Sequence, residues 1–158
     1  MEPVKMSSKV KEARYIIAEI NDLISVMTQW AGGEADTVIK GLHHKWHELM
    51  IKTKNPVSKE FIDGCAKLLE ECESFHTAAG KKVLAFVDDA KEKASVIKKL
   101  AGDDKETMSI LEEVFKLWSE IVRPRAKFLC DNVSDLASPI MDMMKFVVEP
   151  VETAKETQ

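Results

Sequence analysis

The 158-residue chain has 27 acidic and 23 basic residues, a formal net charge of −4, with 45% apolar and 32% charged residues. That balance excludes a disordered chain, and it argues against a general nucleic-acid binder, whose affinity depends on neutralising phosphates with Lys and Arg. No apolar run approaches the roughly 20 residues that span a bilayer, and the N-terminal MEPVKMSSKVKEARYIIAEI lacks a signal-peptide core because its apolar residues are already at helical spacing. Ala, Leu, Met, Lys and Glu abound while strand-type β-branched and aromatic clusters are missing, so the expected class is all-α.

Taken in order, the first periodic segment is Val10, Ala13, Ile17, Ile20, Ile24, Met27 and Ala31, spaced alternately by three and four. Ile16, Leu23 and Trp30 add a third apolar column, seven residues apart, a stripe wide enough for a multi-helix bundle rather than a two-stranded coiled coil. After Gly32-Gly33 the pattern resumes at Ala35, Val38, Leu42, Trp46 and Leu49 and stops at Asn55-Pro56. Ser58 has the position of an N-cap, with Val57 and Ile62 spaced for a hydrophobic staple. A long stripe then runs Phe61, Cys65, Leu68, Cys72, Phe75, Ala79, Val83, Phe86, Ala90, Ala94, Ile97 and Ala101. Gly102 is expected as the residue just past the helix end, and Asp103 with Glu106 as a variant capping box. The last segment runs Met108, Leu111, Phe115, Trp118, Val122, then Leu129, Val133, Leu136, Ile140, Met143 and Val147, with Pro150 and a frayed polar tail ending it.

Reversing the chain at Pro56 places Gly32-Gly33 level with Ala79-Gly80, and reversing it again at Gly102 places Gly80 level with Pro124. Three helix irregularities at one height point to an elongated antiparallel bundle of three long helices, bent or broken at a common waist. Each helix would have about 40 residues, about 60–65 Å at 1.5 Å per residue. The alternative makes Gly32-Gly33 a tight turn, giving four helices, a short hairpin packed on a long hairpin. Either way the expectation is a single helical-bundle domain over 7–149 and a tail over 150–158.

GLHHKWHELM, residues 41–50, holds three of the four histidines. His43 and His47 share a helix face, as zinc ligands do, but the His-Glu-x-x-His pattern is absent, and a solvated face around Trp46 is the reading preferred. Cys72, His76 and Cys130 form a second candidate metal set, since Cys72 and His76 are four apart and Cys130 falls nearly level with them; ordinary core packing competes with it. Glu73 and His76 have the Glu-x-x-His spacing of di-iron bundles, yet only one copy is present, so no cofactor is expected. No phosphate loop, nucleophile elbow or paired-carboxylate motif points to catalysis. Three cysteines fit no disulfide framework and suit a cytoplasmic chain with reduced thiols.

Two surfaces remain. Lys81, Lys82, Arg123, Arg125 and Lys127 gather near the proposed waist as a basic belt for an acidic partner or lipid headgroups. IMDMMKFVV, residues 140–148, places Met141, Met144 and Val148 off the main stripe, as an adaptable partner or self-association surface would. The expectation is a non-enzymatic interaction module: an adaptor, regulator or structural subunit, homodimeric, binding protein and not nucleic acid. The alternative is a membrane-surface bundle contacting anionic lipid through the belt.

Overall fold

The structure, a computed structural model, describes the backbone of residues 7–55 and 58–156 and the side chains of 7–55 and 58–145. It is all-helical, with no strand among the described residues: α1 Ser8–Gly32, α2 Glu34–Lys52, α3 Lys59–Ala101, α4 Lys105–Leu117, a π-helical turn Trp118–Val122, and α5 Arg123–Glu156. Contacts divide this chain into two units, residues 1–32 with 80–126, and residues 33–79 with 127–158. The divisions fall at Gly32/Gly33, at Ala79/Gly80 and two residues past Pro124, the three places the sequence marks as irregular.

In the first unit α1 runs antiparallel to the second half of α3. Lys93 Nζ lies 3.4 Å from Glu19, and Lys82 Nζ lies 5.7 Å from the Trp30 ring centre. Both pairs keep the register expected from a reversal at Pro56. Phe86 of α3 meets Trp118 of the π turn with ring centres 4.2 Å apart, the register expected from a reversal at Gly102. Ala13, Ile17, Ile20, Ile24 and Met27 of α1, Phe86, Ala90, Ile97 and Ala101 of α3, and Leu111, Val114 and Val122 close one core.

In the second unit α2 lies antiparallel to the first half of α3: Lys45 Nζ is 2.8 Å from Glu71. A Cβ built on Gly64 would stand 2.8 Å from Leu49 Cδ1, so the glycine admits the close approach of that leucine. His43 of α2 reaches Asn132 of α5. Ala35, Ile39, Leu42, Phe61, Cys65, Leu68, Cys72, Leu129, Val133, Leu136 and Ile140 are buried. Ile39 and not Val38 carries the α2 stripe, since Val38 is exposed; the stripe steps by four from Ala35.

Within each unit the pairings are antiparallel. Only Gly33 is non-helical between α1 and α2, and helix resumes at once, the Gly33 carbonyl accepting from Thr37 N–H at 3.0 Å. α3 runs unbroken through Gly80, so that glycine breaks nothing.

Pro124 does not break its helix either. The proline lacks an N–H and its ring would crowd the carbonyl four residues back. The turn ahead of it widens, Arg123 N–H donating to the Trp118 carbonyl five residues back, and helix continues on both sides. α5 also continues past Pro150 to Glu156, contrary to the expected stop; Ala154, Lys155 and Glu156 are good helix formers.

The caps follow the sequence with one displacement. Ser58 Oγ accepts from Phe61 N–H at 3.2 Å, as an N-cap should; Val57, the expected staple partner, lies outside the described residues. At the α3–α4 turn the cap is Asp104 and not Asp103, its carboxylate accepting from Thr107 N–H at 3.1 Å and from the Thr107 hydroxyl. No glycine in the described chain has a positive φ, so Gly102 ends α3 without the left-handed conformation usual just past a helix end.

Thr107 is fully buried and explains the displacement. Its hydroxyl also accepts from Arg14 Nε at 3.2 Å, while Arg14 lies 3.7 Å from Asp104 and 3.4 Å from Glu106. One buried hydroxyl thus ties α1 to the α3–α4 turn. The hydrogen bonds from the Thr107 side chain and backbone, with Arg14 adding to them, hold the Asp104 carboxyl below its usual value.

Thr107→Val, which keeps the shape and removes the hydroxyl, is expected to cost about 1–2 kcal/mol in urea unfolding. Because the Asp104 pKa is depressed on folding, its contribution is present above the ordinary carboxyl value of 3.8 and fades as pH falls through the lower folded value. Asp104→Asn is therefore expected to flatten the stability curve below about pH 4, measured as melting temperature against pH.

Candidate interaction surfaces

On α2 the buried stripe Ala35–Ile39–Leu42 continues to half-buried Trp46 and Leu49. Lys40, His44, His47 and Ile51, spaced four, three and four, form the opposite stripe, and all four are exposed. His43 and His44 are each engaged by a different neighbour. His43 Nε2 is 2.8 Å from Asn132 Oδ1, and His44 Nε2 is 3.1 Å from Glu48. Glu48 also lies 3.4 Å from Lys52, and Asp36 lies 2.9 Å from Lys40. The solvated-face reading fits this arrangement. The Asn132 partner of His43 carries no sequence signal, since it sits 89 residues away on another helix.

Among the described residues no three His, Cys, Asp or Glu side chains are placed to hold a metal ion. This corrects the candidate set Cys72, His76 and Cys130. Cys72 is buried, Cys130 half-buried and His76 exposed. Burial pushes the Cys65, Cys72 and Cys130 thiols up, with nearby Glu71 and Asp131 adding to the effect for the last two. Raised thiols stay protonated at neutral pH, which makes them poor nucleophiles.

Of the basic residues, Lys81, Lys82, Arg123 and Arg125 are exposed in the first unit, and Lys127 is exposed in the second. Lys82 is partly engaged with the Trp30 ring. At the methionine-rich end Met141 is 47% exposed and Met144 half-buried; the Val148 side chain lies outside the described residues. The exposed apolar residues absent from the sequence-based expectation are Tyr15, Val26, Leu84, Val96, Leu117 and Ile121 in the first unit and Met50, Ile51 and Phe128 in the second. Leu117 and Ile121 are four apart on one helical run and miss the core stripe, a signal that was available in the sequence.

A cleft of about 190 Å³ between α2 and α3 is lined by Lys45, Leu49, Gly64, Lys67, Leu68 and Glu71. Lys45 is paired to Glu71 at this cleft.

Thiol titration checks the burial assignment: with Ellman's reagent at pH 8, Cys130 is expected to react first, and Cys65 and Cys72 only on unfolding. Comparison with known proteins adds no further guide, since no family model, no curated protein and no solved structure matches this chain.

Proposed function

We propose that the chain is a non-enzymatic helical interaction protein, an adaptor, regulator or structural subunit that binds protein through helix faces and self-associates as a homodimer in the cytoplasm. The observation that carries this reading is the set of large apolar side chains left on outer faces of the helices. Leu84 is 60%, Ile121 57% and Met141 47% exposed. Single exposed apolar residues are ordinary, but Leu117 with Ile121, and Met141 beside half-buried Met144, are neighbours along a helix. Met141, Met144 and Val148 are the proposed contact residues. The finer architecture, an elongated three-segment antiparallel bundle with a common waist, is part of the same proposal.

Size exclusion with light scattering and small-angle scattering tests it. A dimer of twice the 17.8 kDa chain mass with an extended scattering profile is expected, and Met141→Asp should weaken dimerisation at least ~10-fold, a cost of about 1.4 kcal/mol. A compact monomer at every concentration would contradict the reading.

A further inference from the structure

We propose that a stripe running from α4 through the π turn into α5, made of Glu113, Leu117, Ile121 and Arg125, pairs in antiparallel register with the same stripe of a second copy of this chain. This rests on the helix-face reading above and adds a contact separate from the methionine-rich end, which belongs to the other unit. All four residues are exposed, Leu117 by 41% and Ile121 by 57%.

The backbone keeps these residues in line. Buried Val114, Val122 and Ala126, with half-buried Trp118 among them, hold one side of the run against the core. Each stripe residue stands directly before one of these four, so the stripe runs alongside the core instead of winding around the helix. Successive steps of four drift on an ordinary helix, and the widened turn, Arg123 N–H bonded to the Trp118 carbonyl, takes up the drift.

Charge complementarity selects a second copy as the occupant. The stripe has an acid at one end, a base at the other and two apolar residues between, so it complements itself when reversed. About a two-fold axis, a residue that faces another on the second copy is matched by the reciprocal contact. With the axis level with position 119, Leu117 faces Ile121 of the second copy and Glu113 faces its Arg125, each contact occurring twice. On the flanking stripe exposed Lys116 comes within two residues, about 3 Å along the axis, of the second copy's Glu120. Among the described residues no ion pair engages Glu113, Lys116 or Glu120, so these charges are available to the second copy. A parallel pairing would set Glu113 against Glu113 and Arg125 against Arg125, and like charges across an interface are unfavourable.

The test is light scattering over a concentration series of the full chain carrying Met141→Asp, so that the methionine contact is weakened and mass reports on the stripe. Mass should rise from one chain toward two as concentration rises. Adding Ile121→Asp should raise the dissociation constant at least ~10-fold. Adding Glu113→Arg or Arg125→Glu should each raise it about 10-fold at low salt, since each sets like charges together twice, and by less at high salt. Mixing equal amounts of those two charge variants should restore association, because every reversed charge then faces an opposite one. That rescue separates a contact between copies from damage to the fold. A Met141→Asp chain that stays monomeric at every concentration, a dissociation constant unmoved by Ile121→Asp, or a mixture no more associated than either variant alone would overturn the proposal. Failure of the methionine contact shows separately, as a wild-type mass that Met141→Asp leaves unchanged.

Discussion

Each long helical run has to keep an apolar stripe on one side for its whole length, and the rest of the structure follows from how it does so. From Phe61 to Ala101 the α3 stripe takes 11 steps in 40 residues, about 3.64 residues a step, close to the 3.6 of an α-helix. α3 therefore needs no interruption, and Gly80 passes through it as ordinary helix. The α1 stripe keeps the tighter three-four spacing and then meets a run of fours, Met27, Ala31, Ala35 and Ile39. A second run of fours, Val114, Trp118, Val122 and Ala126, surrounds the approach to Pro124. Steps of four overshoot a helical turn, so each run rotates the stripe unless the backbone compensates. The chain compensates with one non-helical residue at Gly33 and with the π turn before Pro124. Those are also places where contacts divide the chain.

Most of the architecture was legible because apolar spacing records it directly. All of the named α1 stripe from Ala13 to Ala31 is buried, and so are Phe61, Cys65, Leu68 and Cys72 of α3. The register from two chain reversals survives in the Lys93–Glu19, Lys82–Trp30 and Phe86–Trp118 pairs. What periodicity could not convey is backbone response. A proline reads the same in sequence whether it ends a helix, kinks it or sits behind a widened turn. The Asp104 cap was missed by one residue because the deciding partner is Thr107, a buried hydroxyl tied to Arg14, 93 residues away from it on another helix. Val38 was placed in the α2 stripe on a three-four pattern that the run of fours displaces to Ile39.

The candidate sites were less legible because they depend on neighbours across helices. His43 and His47 look like ligands by spacing alone; His43 instead reaches Asn132, and the neighbouring His44 reaches Glu48. Cys72 and Cys130 look like soft ligands, yet among the described residues no group of three His, Cys, Asp or Glu is placed to hold a metal ion. What the sequence does convey is polarity around α2: one stripe faces the core and the opposite one carries cations, imidazoles and a protruding isoleucine.

The account rests on the register that pairs α1 with the second half of α3 and α2 with the first half. Zero-length carbodiimide crosslinking with peptide mass spectrometry tests it directly, because both pairings contain a lysine–glutamate contact, 3.4 Å for Lys93–Glu19 and 2.8 Å for Lys45–Glu71. Crosslinks within those two pairs are the expected result. A dominant Lys45–Glu19 crosslink, which a tight turn at Gly32-Gly33 would bring together, would contradict the fold and every surface assigned on it.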